Sequence, residues 1–278
     1  MYKPSKRLPK ILLGTVLAVV VVFAMLRLLM PPIPEEIASL QGRSMYESGT
    51  SGTAVILFHG LSASPPELLP IVRSLKEHGH TVYVPLLKGH GGEPKDLKGV
   101  TWQDWYLQAE ETYDLARASH QKVYVGGISM GADLALLLSQ RHQNVDGVIT
   151  IGAPMVLKNK KTYLAGLLKY ILPYVAHPVS PEERTMYYQS LPPEAVAELI
   201  ALIAETKANL GLVKAPLVMF QGMDDPTVDS VSAGYIIDHV RSDQRTLHSY
   251  DVTSHILVDK PELQPEISKL ILAFVEGK

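Results

Sequence analysis

The sequence predicts an α/β domain: a mostly parallel sheet flanked by helices, with a small helical cap inserted between two sheet strands and a membrane-spanning helix ahead of it. Three observations carry that expectation. Short apolar runs alternate with helical patterns from Gly52 onward. The alternation lapses between Met155 and Leu212, where only helical stretches are evident, and then resumes. A run of about 20 apolar residues stands near the N-terminus.

In chain order, Lys3, Lys6, Arg7 and Lys10 make residues 1–10 a basic, cytoplasmic terminus. The stretch ILLGTVLAVVVVFAMLRLLM, residues 11–30, follows, and at about 1.5 Å per residue it spans a ~30 Å hydrocarbon layer. Arg27 falls at its far end, where a long side chain reaches the headgroups. Positive charge ahead of the run and PPIPEE behind it orient the chain as a single-pass membrane protein, its folded domain extracytoplasmic. The alternative is a signal segment cleaved after Val22-Phe23-Ala24, giving a secreted or periplasmic product. Residues 31–51 read as a Pro-rich linker that ends in one short edge strand near Arg43 to Ser48.

The core is expected over 52–154 and 213–278. AVILFHG (54–60), TVYVPLL (81–87), KVYVGGIS (122–129) and VDGVITIGAP (145–154) read as buried strands. Helical patterns near 66–78, 102–119 and 130–141 separate them. Residues 155–212 form the expected cap, with helical stretches at 162–172 and 192–213. Met155, Leu164, Leu168, Tyr170 and Leu191 are expected to pack that cap on the sheet or to line an apolar pocket. PLVMFQG (216–222) and RTLHSYD (245–251) resume the sheet, followed by helices near 231–240 and 262–275.

Composition narrows the function. With 26 Lys+Arg against 28 Asp+Glu there is no basic field to hold nucleic acid. No cysteine is present, which removes disulfides, thiolate metal sites and Cys nucleophiles. His78, His80 and His90 lack metal-ligand spacing, so neither metal nor cofactor is expected. No pattern in the chain specifies an oligomeric state.

Gly127-Ile128-Ser129-Met130-Gly131 is a G-x-S-x-G pentapeptide between a strand and a helix, the context in which a serine nucleophile sits on a strained turn. The tight turn needs small residues two before and two after the serine, and Gly127 and Gly131 supply them. The Met130 N–H, at the start of the following helix, can face a developing oxyanion. A second donor is expected from FHGLSAS, where Gly60 permits close backbone approach and the Leu61 N–H follows. A serine needs a base, and the base a carboxylate. QGMDDPTVDS places acids beyond a strand end, with Asp225 favoured over Asp224, Asp229 and Asp251. TSHILVD places His255 on the loop after the last strand, whereas His248 lies within that strand. Strand ends of this kind converge on one sheet edge.

Ser129, Asp225 and His255 stand in the chain order of α/β hydrolases. From Thr53 to Val275 the chain resembles the bacterial carboxylesterases and monoacylglycerol lipases of that superfamily, through LFHGLSAS, LKGHGG, GGISMGADLAL, GAPMVLKNKK, APLVMFQGMDDPTV and TSHILVD. The resemblance implies Ser129 as nucleophile, Asp225 as carboxylate, His255 as base, Leu61 and Met130 amides as oxyanion donors, and 155–212 as a cap over the site. It implies hydrolysis of short- to medium-chain carboxylic esters, with a small-molecule or lipid ester as substrate. Acyl transfer and thioester cleavage use the same triad and are the alternatives. A membrane-anchored binding protein without turnover is the alternative of another class, and it predicts a broken triad. Soluble members of the group lack the apolar N-terminal segment, so the membrane is expected as a partner of this chain alone.

Overall fold

The computed structural model describes residues 42–177 and 186–278. The expected basic terminus, the apolar segment 11–30 and the linker up to residue 41 lie outside the described residues. Among the described residues no helix is long and apolar enough to cross a membrane.

The strands are β1 (Met45–Glu47), β2 (Thr53–Phe58), β3 (Thr81–Val84), β4 (Lys122–Ile128), β5 (Gly147–Ile151), β6 (Val175–Ala176), β7 (Ser190–Leu191), β8 (Leu217–Gly222) and β9 (Arg245–Tyr250). The α-helices are α1 (Leu69–Glu77), α2 (Trp102–Ser119), α3 (Met130–Arg141), α4 (Ala165–Leu168), α5 (Pro193–Ala208), α6 (Val231–His239) and α7 (Gln264–Glu276). Seven strands form one sheet in the order β1-β3-β2-β4-β5-β8-β9, parallel except for β1. The fold is that of an α/β hydrolase.

Continuous apolar runs suit strands buried on both faces. Every residue of β2, β5 and β8 is buried. The period of two divides β2 cleanly. Ala54, Ile56 and Phe58 join α2, α3 and α5 in one apolar layer, and Val55 and Leu57 join α1 and α7 in the other. Helix α3 lies under α5 and against the sheet, so Met130 to Gln140 are all buried. The chain passes from β2 to β3 on one side and then crosses back over β2 to β4 on the other. That reversal marks the sheet edge where ligand sites form, at the carboxyl ends of the strands.

The segment between β5 and β8 differs from its expectation in two places. β6 pairs antiparallel with β7 where no strand was evident, because two-residue strands leave no period-two signal. The helix expected at 162–172 is a 3-10 turn, Lys160–Leu164, continued by the single turn of α4. Only Ala165 of α4 is buried, so no packed apolar face supports a longer helix. Met155 and Leu191 do pack inward, but Leu164 is 53% and Tyr170 79% exposed, and these two neither pack the segment on the sheet nor line an enclosed pocket.

Candidate active site

β4 ends at Ile128 and α3 begins at Met130, which leaves Ser129 alone to turn the chain. It does so at φ 52° and ψ −118°, a conformation that costs a non-glycine residue roughly 1–3 kcal/mol. Its surroundings hold it there. The Ser129 N–H donates to the Ile151 carbonyl (2.9 Å), and the Ser129 carbonyl accepts from the Ala132 N–H (2.9 Å). A Cβ on Gly127 would overlap the Gly131 backbone, and one on Gly131 would overlap the Phe58 carbonyl. Both glycines are required by contact. Met130 is the first residue of α3, and among the described residues no protein acceptor takes its N–H. The positive end of the helix therefore faces the space beside Ser129.

His255 sits beyond β9, on a loop that two glycines admit. Gly222 passes under the Ser254 carbonyl, and a Cβ at Gly152 would press on the His255 ring at 3.2 Å. Since Ser129 is bonded to Ile151 and His255 lies against Gly152, the two flank the end of β5. Among the described residues no hydrogen bond joins Ser129 Oγ to His255; such contacts commonly tighten only with substrate bound. His255 Nδ1 donates to Asp225 Oδ2 at 2.7 Å, which leaves Nε2 as the ring's proton acceptor.

Asp225 is 1% exposed, and its other oxygen accepts the N–H groups of Thr227 (2.7 Å) and Val228 (2.9 Å). A buried carboxylate so bonded is both satisfied and aimed. Asp224 and Asp251 are exposed, and Asp229 accepts the Val231 N–H at the start of α6. The root of the inserted segment fastens this loop. Lys158 Nζ donates to the Asp225 carbonyl (3.0 Å), the Lys158 N–H to Thr227 (2.9 Å), and the Asp229 N–H to Val156 (2.9 Å).

After β2 the chain runs through His59 to Ser64. His59 is wholly buried: Nε2 accepts the Leu87 N–H (3.2 Å), so Nδ1 carries the proton and donates to the Gly60 carbonyl (3.0 Å). Burial, with His90 beside it, holds this imidazole well below its ordinary range and neutral. Leu61, like Met130, has an N–H that no protein acceptor takes among the described residues. Gly60 departs from the close-approach reason expected of it, because a Cβ there would meet the Glu67 carboxyl at 3.5 Å and the Ile128 carbonyl at 3.7 Å, both ordinary contacts. The strained residue of this loop is instead Ser62, at φ 73°.

Several residues that hold the loop carry no sequence signal. The Gly60 N–H donates to Glu67 Oε2 (2.8 Å), and burial pushes the Glu67 carboxyl up to about 8. Tyr187, from the inserted segment, and Asp259, from the turn after His255, lie beside it and bond to each other (3.1 Å). Ser62 is clamped from the same segment: its carbonyl accepts the Tyr188 N–H (3.1 Å), and its hydroxyl meets His177 Nε2 (3.1 Å). Asp133, one turn past Ser129, is fully buried with no partner for either oxygen among the described residues, and burial raises its carboxyl well above the ordinary range. Glu67 reads in sequence as a common first-turn acid, and Asp133 as a polar position on a helix.

This assembly pairs a strained serine at a helix N-terminus with a carboxylate-oriented imidazole and two unclaimed amides, the parts needed for acyl transfer. Residues 50–186 match the Hydrolase_4 family, described as serine aminopeptidase, S33. The chain is 27% identical over 227 residues to a thermostable monoacylglycerol lipase of Bacillus sp. (strain H-257), covering 79% of this chain and 91% of that relative. It is 25% identical over 209 residues to a carboxylesterase of Bacillus subtilis (strain 168), covering 73% and 85%. Among solved structures, one from the metagenome-derived lipolytic enzymes LipS and LipT superposes with a TM-score of 0.80 at 21% identity, over 86% of this chain and 98% of that one. The monoacylglycerol lipase of Paleococcus ferrophilus gives 0.72 at 14% identity, over 84% and 97%.

Proposed function

We propose that this α/β hydrolase, a serine hydrolase of the group that includes bacterial carboxylesterases and monoacylglycerol lipases, cleaves short- to medium-chain carboxylic esters, monoacylglycerols among them, through an acyl-enzyme on Ser129. The observation that carries the reading is the 2.7 Å bond from His255 Nδ1 to the buried Asp225 carboxylate, which leaves Nε2 as a proton acceptor on a ring set against Gly152, next to the Ile151 carbonyl that holds the strained serine.

In this reading His255 Nε2 takes the Ser129 hydroxyl proton as Oγ bonds to the ester carbonyl carbon. The oxyanion is held by the Leu61 and Met130 N–H groups, and the helix dipole of α3 adds to that field. As the carbonyl reforms, the alcohol departs with the proton from His255. Water then gives a proton to His255, attacks the acyl group and releases the acid, with the proton returned to Ser129. Asp225 keeps the imidazole in the required tautomer and stabilises its cation. Residues 155–212 serve as a cap: they fasten the Asp225 loop through Lys158 and the Ser62 loop through Tyr188 and His177. The sequence of residues 1–30 supports an inner-membrane anchor with the catalytic domain on the extracytoplasmic side.

The test is hydrolysis of p-nitrophenyl esters across acyl lengths by the wild type and Ser129→Ala. A loss of roughly three to six orders of magnitude is expected in the variant, by comparison with triad knockouts. Folded wild-type protein no faster than the variant on every ester would reject the reading in favour of transfer to a specific acceptor or of binding without turnover.

A further inference from the structure

Two residues other than glycine hold a positive φ among the described residues, Ser129 and Ser62. The acyl-transfer reading accounts for the first. Backbone strain of this kind persists only where the surroundings enforce it, and it gathers at functional sites.

At Ser62 the strain belongs to a turn. The Ala63 N–H donates to the Gly60 carbonyl (3.2 Å), so Gly60 to Ala63 form a four-residue turn with Leu61 and Ser62 at its centre. A φ of 73° at the third residue is the sign of a type II turn, whose ordinary occupant there is glycine. A chain that needed only the turn would be served best by glycine. Serine keeps a side chain at that point, and the side chain is engaged. Ser62 is 2% exposed, and its hydroxyl lies 3.1 Å from His177 Nε2 in the inserted segment. Returning Ser62 to negative φ would swing the hydroxyl away from His177 and leave it buried and unpaired, so the bond opposes relaxation of the strain.

His177 is itself well supported. Its N–H donates to the Gln189 carbonyl (2.9 Å), which continues the β6–β7 pair, and just ahead of β7 the Tyr188 N–H donates to the Ser62 carbonyl (3.1 Å). Ser62 is thus held at hydroxyl and carbonyl by the two sides of one hairpin. The hairpin is pinned in turn to other loops of the site edge. The Tyr188 hydroxyl donates to the Gly89 carbonyl (3.3 Å) and accepts the Gly92 N–H (3.1 Å), and the Tyr187 hydroxyl donates to Asp259 (3.1 Å). On the other side of Leu61, Gly60 is held from the core, its N–H by Glu67 and its carbonyl by His59 Nδ1. Leu61, whose N–H is the proposed oxyanion donor, stands between these two anchored residues. The planar peptide points that N–H opposite to the Gly60 carbonyl. Ser62 governs whether the next peptide keeps the type II orientation or turns over and re-aims Leu61 with it.

We infer that Ser62 and His177 are positioning residues for the Leu61 amide: their bond holds the oxyanion turn in its strained form, so the inserted segment sets one of the two oxyanion donors. The inference rests on the esterase reading of the site. Met130 is fixed by α3, so loss of the bond misplaces one donor and leaves the other in place.

The test compares Ser62→Ala, Ser62→Gly and His177→Leu with the wild type on p-nitrophenyl butyrate, each checked for folding by circular dichroism. Ser62→Ala removes the hydroxyl and keeps the strain. It is expected to lower kcat by roughly tenfold with KM little changed, less than the ~10²–10³ that outright loss of an oxyanion donor costs. An alkylboronic acid, which adds to the serine as a tetrahedral anion, should bind more weakly by a similar factor. His177→Leu should match that loss, and Ser62→Ala combined with His177→Leu should be no worse than either alone. Ser62→Gly separates positioning from a general structural role. Glycine holds φ 73° unaided, so it should recover most of the loss, both alone and combined with His177→Leu. Equal losses for Ala and Gly, a rise in KM at unchanged kcat, or additive losses in the double variant would overturn the inference. If Ser62→Ala does not fold, the comparison of His177→Leu with and without Ser62→Gly decides the matter in the same way. An active wild type whose Ser62→Ala variant is unimpaired rejects the positioning role alone. A wild type that hydrolyses no ester rejects the esterase reading, and the positioning role with it.

Discussion

Replacing Glu67 with Gln tests how the proposed oxyanion loop is held. The carboxyl is 2% exposed, accepts the Gly60 N–H at 2.8 Å, and has its second oxygen buried without a hydrogen-bond partner among the described residues. Burial, opposed by the Gly60 bond, moves it from 4.5 to about 8. Above pH 4.5 the unfolded chain gives up this proton, while the fold keeps it until about pH 8. Across that window the native state binds the extra proton, so stability falls as pH rises, by up to about 1.4 kcal/mol per unit. The contribution is fully present below the unfolded value and gone above the folded one. From pH 5 to pH 7.5 the loss from this one group comes to about 3 kcal/mol. Gln keeps the shape and an oxygen for the Gly60 N–H but does not titrate. Urea unfolding at fixed ionic strength, followed by emission from the buried Trp105, should show wild type losing about 3 kcal/mol more than Glu67→Gln over that range. Parallel pH profiles for the two proteins would refute the reasoning, because every other titrating group is common to both.

Asp133→Asn removes a buried acid whose raised titration makes the wild type lose stability as pH climbs above the ordinary carboxyl range. The Asn variant should therefore melt increasingly above wild type as pH rises past the ordinary carboxyl range, as differential scanning calorimetry can measure. Asp225→Asn should lower kcat on p-nitrophenyl butyrate by about four orders of magnitude, since the imidazole loses its orienting carboxylate; a fall of less than about tenfold contradicts the assigned role. Gly131→Ala should cost upwards of about 3 kcal/mol and abolish activity, because the new Cβ meets the Phe58 carbonyl and backbone must move; folded yield and urea midpoint report it.

What was legible in the sequence was tied to strand ends. β2, β4, β5 and β8 are buried on both faces, so each shows as an unbroken apolar run, and the residues after them fall at one edge whatever the details of packing. Ser129 was visible because its backbone strain demands two glycines at fixed offsets. Asp225 was separable from Asp224 by the turn that buries Val228. What escaped depends on segments far apart in the chain. Glu67, Tyr187 and Asp259 meet beneath the Gly60 loop from three separate parts of the sequence, and Ser62 takes its strained conformation under a clamp from Tyr188 and His177. Periodicity states what an element has to bury and is silent on which distant group arrives to meet it. The same limit explains Leu164 and Tyr170: an apolar stretch reads as packing or pocket lining, yet a helix reduced to a single turn has no face with which to pack them. Side chains proposed to do chemistry thus follow from local rules at strand ends, while those that hold them come largely from the inserted segment, whose pattern is the weakest in the chain. Changes in that segment should therefore alter the loops around Ser129 before they alter the sheet beneath it.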